Sequence, residues 1–148
     1  MKFMKAVKEV MTENPRHASP YAKLDELARI MKEADCGEIP ICDGFKLVGV
    51  VTDRDIVLRA VAEGMKPEET FAREIMTEHV ITVRPDTDVS EAVELMERQE
   101  IHRLPVVDRD GKIRGMLSVA DLAHHLSERK VGEVVRQLSH PRKELVAL

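Results

Sequence analysis

Apolar positions along this chain follow two periods. Leu24, Leu27, Ala28 and Met31 recur at three- and four-residue spacing, as do Val89, Ala92, Val93 and Met96. Both sets predict a helix with one apolar stripe. The second has a start signal in Asp88, with Glu91 three residues on to complete a capping box. Each helix is followed by a short apolar run, EIPIC at 38–42 or RLPVV at 103–107. The proline stands near the beginning of each run, where a strand tolerates the loss of an N–H. A glycine-containing turn leads to KLVGVV at 46–51 or KIRGML at 112–117, so each pair predicts a β-hairpin. A further helix closes each unit, over about 52–62 and 118–127, and short extended stretches at 17–19 and 80–83 precede the first helices. The predicted order is strand, helix, strand, strand, helix, twice over.

The two units are copies. At an offset of 65 residues, Met11-Thr12-Glu13 falls on Met76-Thr77-Glu78, Pro20 on Pro85, Glu26 on Glu91, Met31 on Met96, Pro40 on Pro105 and Asp43 on Asp108. Gly44-Phe45 is then matched by the longer Arg109-Asp110-Gly111, and a one-residue length change is tolerated in a hairpin turn. Beyond it Lys46, Gly49 and Asp55 fall on Lys112, Gly115 and Asp121. The expected architecture is α/β (α+β): two tandem β-α-β-β-α repeats, 7–64 and 72–128, about a pseudo-twofold axis. A linker at 65–71 holds Pro67, and 129–148 reads as a C-terminal helical tail.

Composition narrows the function classes. The 148 residues are 43% apolar, enough for a packed interior, and no apolar run approaches the roughly 20 residues of a membrane helix. The N-terminal stretch has interspersed charge rather than a secretory signal, and Cys36 and Cys42 lack the spacing of a zinc knuckle or redox pair. They read as small buried hydrophobes, and the expected compartment is the reducing cytoplasm. A net charge of −4 and a near absence of aromatic residues argue against nucleic acid as a partner. His124 and His125 are adjacent on a helix and point about 100° apart, so they do not share a metal ion. No metal site is expected, and the eight methionines read as core filler. No nucleophile–base pair, phosphate loop or metal centre can be assembled, so the expectation is a protein that is not an enzyme.

The candidate chemistry lies where each second hairpin strand ends, in Thr52-x-x-Asp55 and Ser118-x-x-Asp121. A hydroxyl followed three residues later by an acid is a capping box, although aspartate reaches less far than the usual glutamate. A ligand site is the other reading. Gly49 and Gly115, each three residues upstream, signal close approach by a backbone or a ligand. A strand entering a helix N-terminus presents free N–H groups, and a carboxylate has two acceptors for the donors of a ribose diol.

The ordered set of motifs, Met-Thr, Pro, Glu-x-x-x-x-Met, Pro-hydrophobic-x-Asp, a glycine-bearing strand and Thr/Ser-x-x-Asp, resembles the CBS domain in both copies. Together they resemble a Bateman module of the stand-alone bacterial and archaeal type, over residues 7–128. The resemblance implies a non-catalytic regulatory module for an adenosine-containing ligand such as AMP, ATP, NAD or S-adenosylmethionine, with no obligatory cofactor. It implies that Asp55 and Asp121 hold ribose, with Thr52 and Ser118 beside sugar or phosphate. It places His102 and Arg103 at the same cleft, where the arginine fork suits a phosphate, and Arg54 is a second candidate. Gly37-Glu38 replaces His102-Arg103 in the first copy, so the two clefts are expected to differ. Val80, Ile81 and Thr82 are expected to face the cleft of Asp55, and His17 and Ala18 that of Asp121. The alternative to a sensor is a structural or protein-interaction adaptor with degenerate clefts.

One pattern concerns assembly. The segment 56–62 is apolar except at Arg59, so a helix there has an outer face to bury as well as an inner one. With Leu122, Ala123 and Leu126 of the matching helix, it predicts a homodimer through the closing helices. The competing expectation is that residues 131–138 fold back over this patch. A downstream protein that reads the ligand state is also expected.

Overall fold

The computed structural model describes residues 5–139. Two β-hairpins carry the fold. Strand β2 (Glu38–Asp43) pairs antiparallel with β3 (Lys46–Thr52), and β4 (Arg103–Val107) pairs likewise with β5 (Ile113–Ser118). Gly44 and Gly111 turn the hairpins at φ of 64° and 78°, a region that favours glycine. The hairpin tips meet: Leu47 N–H donates to the Gly111 carbonyl and Ile113 N–H to that of Phe45, each at 2.9 Å. Cys42, Val107 and Ile113 form a small apolar cluster there.

Pro40 and Pro105 lie inside their strands rather than at the start. The stretches expected to be extended at 17–19 and 80–83 explain why this is tolerated. Each shrinks to one parallel bridge, Ala18 to Ile41 and Val83 to Val106. The bridge uses the proline carbonyl (from Ala18 N–H, 3.1 Å; from Val83 N–H, 3.1 Å) and the N–H two residues on, so the proline nitrogen has no bond to lose.

Helices α1 (Leu24–Ala34) and α4 (Val89–Gln99) follow the predicted stripes, with Leu24, Leu27, Met31, Val89, Ala92, Val93 and Met96 buried. Ala28 is exposed, and the first stripe passes through half-buried Ile30 instead. Both helices end on a left-handed residue that is not glycine, Asp35 and Glu100. The Asp88 capping box does not form, because its side chain makes no cap bond. The Val89 N–H is satisfied instead by the Lys5 carbonyl at 2.8 Å, and at the equivalent place Leu24 N–H bonds Thr70 O at 3.0 Å.

Those two bonds belong to a larger exchange. A 3-10 turn (Val7–Glu9) and strand β1 (Thr12–Glu13) lead the first repeat, and helix α3 (Ala72–Ile75) leads the second. Val7 and Val10 are buried with Val83, Val93, Leu104 and Leu122, in the core of the second repeat. Ala72 and Ile75 are buried with Leu27, Ile39 and Val51, in the core of the first. The repeats thus swap leading segments, and β1 pairs with β5 while Thr77 bridges Val50.

The exchange accounts for Gly49 and Gly115. A Cβ on Gly49 would stand 2.9 Å from Thr77 O and 2.7 Å from Met76 Sδ; one on Gly115 would stand 2.9 Å from Thr12 O and against Met11 Sδ. The close approach is by backbone and methionine of the other repeat.

The closing helices differ. Helix α2 (Asp53–Asp55) continues as a π-helical segment, Ile56–Val61, with Ala62 N–H on Val57 O. Helix α5 (Val119–His125) stays α-helical. Helix α6 (Glu128–Leu138) accounts for part of the expected tail and packs on α4 and α5, burying Val134 and Leu138 in the second core. Residues 140–148 of that tail lie outside the described residues. Val57, Leu58 and Val61 stay 55%, 47% and 56% exposed, so α6 does not cover them. No helix among the described residues is long and apolar enough to cross a membrane.

Candidate functional site

Each Thr/Ser-x-x-Asp motif forms the complete capping box. Thr52 Oγ1 accepts from Asp55 N–H at 3.0 Å, and Asp55 Oδ2 accepts from Thr52 N–H at 2.9 Å. Ser118 and Asp121 repeat this at 3.1 and 2.9 Å, and the Ser118 hydroxyl also donates to Asp121 Oδ2 at 3.0 Å. Aspartate was expected to reach poorly. It succeeds because the strand enters the helix directly: Thr52 and Ser118 are extended (φ −103° and −121°), which turns their N–H toward the third helical residue.

The second carboxylate oxygens differ. Asp121 Oδ1 accepts a hydroxyl bond from Thr12 at 3.1 Å, across the repeat exchange. Asp55 Oδ1 lies 3.5 Å from Arg59 Nε. The same guanidinium donates through Nη1 to the Ile75 carbonyl at 2.9 Å and to Thr77 Oγ1 at 3.2 Å.

Asp121 opens onto a cavity of about 320 Å³. Thr12, Asn14, Pro15, Arg16, Cys36 and Glu38 come to it from the first repeat, and Arg103, Met116 and Ser118 join Asp121 from the second. The polar lining combines two cations, two carboxylic acids and two hydroxyls, a set able to meet a sugar and a phosphate together. Arg16 is also 3.6 Å from Glu33 on the rim. Glu38, which replaces an arginine of the second copy, lines the cavity of Asp121 while remaining within electrostatic reach of Asp55. Burial pushes its carboxyl above the ordinary value of 4.5, the Arg103 charge opposes that rise and the Asp55 charge adds to it.

The expected site residues are only partly gathered here. Arg103, Ser118 and Asp121 line the cavity. His102 is exposed, and its carbonyl accepts Val119 N–H at 3.2 Å. His17 and Ala18 do not line it. Ala18 is a core residue bridged to Ile41, and His17 packs against Phe45 at 5.8 Å between ring centres. The chain bends at Asn14 (φ 48°), and the lining comes from the residues just before them, Thr12 and Asn14 to Arg16. Val80 and Thr82 line a different cavity, of about 170 Å³, with Leu47, Val48, Glu78, Val107 and Gly111, and neither Thr52 nor Asp55 is part of it. Ile81 is exposed, and Arg54 lines an outer hollow of about 350 Å³ with Asp53, Val57 and Leu58. Among the described residues no three His, Cys, Asp or Glu side chains are grouped to hold a metal.

Sequence reasoning missed Thr12, Arg59 and Cys36. The repeated Met-Thr was available as a signal, since a hydroxyl kept in both copies has a use beyond marking the repeat. Cys42 is buried as expected, and its thiol is pushed up to about 11 by desolvation; Cys36 is half-buried on the cavity wall.

The fold and site define a class: a tandem α/β repeat module with a polar cleft lined by both halves. The CBS domain profile matches twice, over residues 7–62 and 72–128, and the chain belongs to the CBS-domain family. It is 33% identical over 138 residues to the CBS domain-containing protein YhcV of Bacillus subtilis, covering 93% of this chain and 97% of that one. Among solved structures it is similar to the CBS domain pair of protein MJ0100 in complex with 5′-methylthioadenosine and S-adenosyl-L-methionine. That match has a TM-score of 0.74 and 29% identity, covering 82% of this chain and 95% of the other. It is also similar to CBSX2 in complex with AMP, with a TM-score of 0.70 and 27% identity, covering 80% of this chain and 93% of the other. CBS domains are generally regulatory rather than catalytic.

Proposed function

We propose that this protein is a non-catalytic cytoplasmic sensor that binds an adenosine-containing nucleotide in the cavity of Asp121. The observation that carries the reading is that both repeats supply polar groups to that one cavity. Asp121 Oδ1 receives the ribose diol in place of the Thr12 hydroxyl, Ser118 lies beside the sugar, and Arg103 takes the phosphate. A ligand gripped by Thr12 and Asn14 on one side and Arg103, Ser118 and Asp121 on the other favours one relative packing of the repeats. A downstream protein reads that packing. The AMP and S-adenosylmethionine complexes of the similar CBS pairs support the ligand class. We also propose a homodimer through the exposed Val57, Leu58 and Val61, whose apolar side chains call for a second copy as cover.

Calorimetry with AMP, ATP, adenosine and S-adenosylmethionine tests the ligand reading, alongside mass spectrometry of acid-released ligand from fresh protein. Asp121→Ala is expected to weaken binding roughly 10- to 150-fold, the loss of a charge-assisted hydrogen bond worth about 1.5–3 kcal/mol. Unchanged affinity with a lowered melting temperature leaves Asp121 as a helix cap and favours the adaptor.

A further inference from the structure

The two aspartates occupy equivalent places, yet their free oxygens meet different groups. At Asp121 the partner is one neutral hydroxyl from exposed Thr12, which turns away at the cost of a single weak hydrogen bond. At Asp55 it is the Arg59 guanidinium, fixed at its other end by the Ile75 carbonyl and the Thr77 hydroxyl. Thr77 is the counterpart of Thr12. Arg59 therefore bridges the gap between Asp55 and Thr77 whose counterpart, between Asp121 and Thr12, borders the 320 Å³ cavity. A ribose that approaches Asp55 has to displace a charge-assisted contact held at three points. In the second repeat the position equivalent to Arg59 is His125, which is exposed in the last turn of α5.

We infer that Arg59 holds the Asp55 cleft shut, so that each chain takes one nucleotide, at Asp121, and not two. The inference rests on the nucleotide reading above and adds a stoichiometry and the residue that sets it. Arg59 acts as a positioning residue: it keeps Asp55 turned to the protein.

Isothermal titration with AMP decides it. The wild-type chain is expected to bind one AMP, and Arg59→Ala is expected to bind two, with the added site weaker. In the double variant Arg59→Ala with Asp121→Ala the Asp121 site is expected to weaken as in the single variant, while the added site at Asp55 keeps the affinity it has in Arg59→Ala. Arg59→His, which places the second repeat's residue in the first, serves if the alanine variant unfolds, and it too is expected to bind two. Two AMP per wild-type chain, or one per Arg59 variant, overturns the inference while leaving the nucleotide reading intact. A weaker single site in the Arg59 variants also overturns it, since Arg59 then contacts the ligand. Zero stoichiometry with AMP, ATP, adenosine and S-adenosylmethionine overturns the nucleotide reading and this inference with it.

Discussion

The two halves of this molecule share a backbone plan and differ in what stands beside it. Both hairpins end in the same capping box, and both glycine strands take the same close approach from a Met-Thr segment. Around that frame, the first repeat has Glu38, an arginine tied to its aspartate and a bare apolar helix face. The second has Arg103, an aspartate met by a hydroxyl and a face partly covered by α6. The comparison teaches that internal symmetry preserves the contacts that hold the chain together, while the groups available to ligands and partners diverge.

The bare face offers the largest expected effect. Leu58→Glu puts a charge in the middle of the proposed dimer contact and is expected to cost about 2–4 kcal/mol of association, a weakening of roughly 30-fold or more. Sedimentation equilibrium reads this directly. A 16.8 kDa wild-type species at micromolar concentration removes the dimer and leaves the exposed face without a self-partner.

The shared glycines sharpen the other side of the comparison. Gly49→Ala and Gly115→Ala are each expected to lower stability by about 1–3 kcal/mol, because the new methyl group meets a threonine carbonyl that the exchanged segment holds in place. Urea unfolding measures both. Loss of nucleotide affinity with unchanged stability would return these glycines to the ligand.

The smallest effect separates Glu38 from its counterpart Arg103. The folded carboxyl titrates above 4.5, its ordinary value, so just above that pH the folded state binds more protons than the unfolded. Stability contributed by this group is therefore greatest in acid and falls as pH rises through the folded value. Glu38→Gln is expected to flatten that fall, as followed by denaturant unfolding from pH 4.5 to pH 7. An identical slope in the variant assigns the dependence to another group.

Much of the fold was legible. The helix stripes and the hairpins are local patterns and the repeat is a direct comparison of the chain with itself; the structure keeps them except at Ala28, which leaves the first stripe. The exchange of leading segments was not legible, because Val7 and Ala72 look the same whichever core buries them. Nor were the ends of α1 and α4, where Asp35 and Glu100 adopt a turn usually marked by glycine. At the site, Ser118, Asp121 and Arg103 were readable from their residue types and places in the repeat. Thr12 and Arg59 were not, since their roles depend on which repeat they touch. The family resemblance assigns His17, Ala18, Val80, Ile81 and Thr82 to the cleft walls. Side-chain direction over so few residues has no periodicity to read, and a bend at Asn14 and the single bridges of Ala18 and Val83 decide which of them face a cavity.

The crossed leading segments also bear on how the molecule is made. The core around Leu27 and Val51 draws on residues 18–76, a single stretch that closes on itself. The other core joins Val7 and Val10 to Val134 and Leu138, so Val7 and Val10 find their place only after the distant helix α6 has emerged. A chain halted after the first repeat has Val7 and Val10 with nothing to pack on, and it lacks Ala72 and Ile75 to finish its own interior. The duplication recorded in the sequence is thus no longer a pair of separable parts: neither copy can be inherited, lost or grafted alone with its core complete.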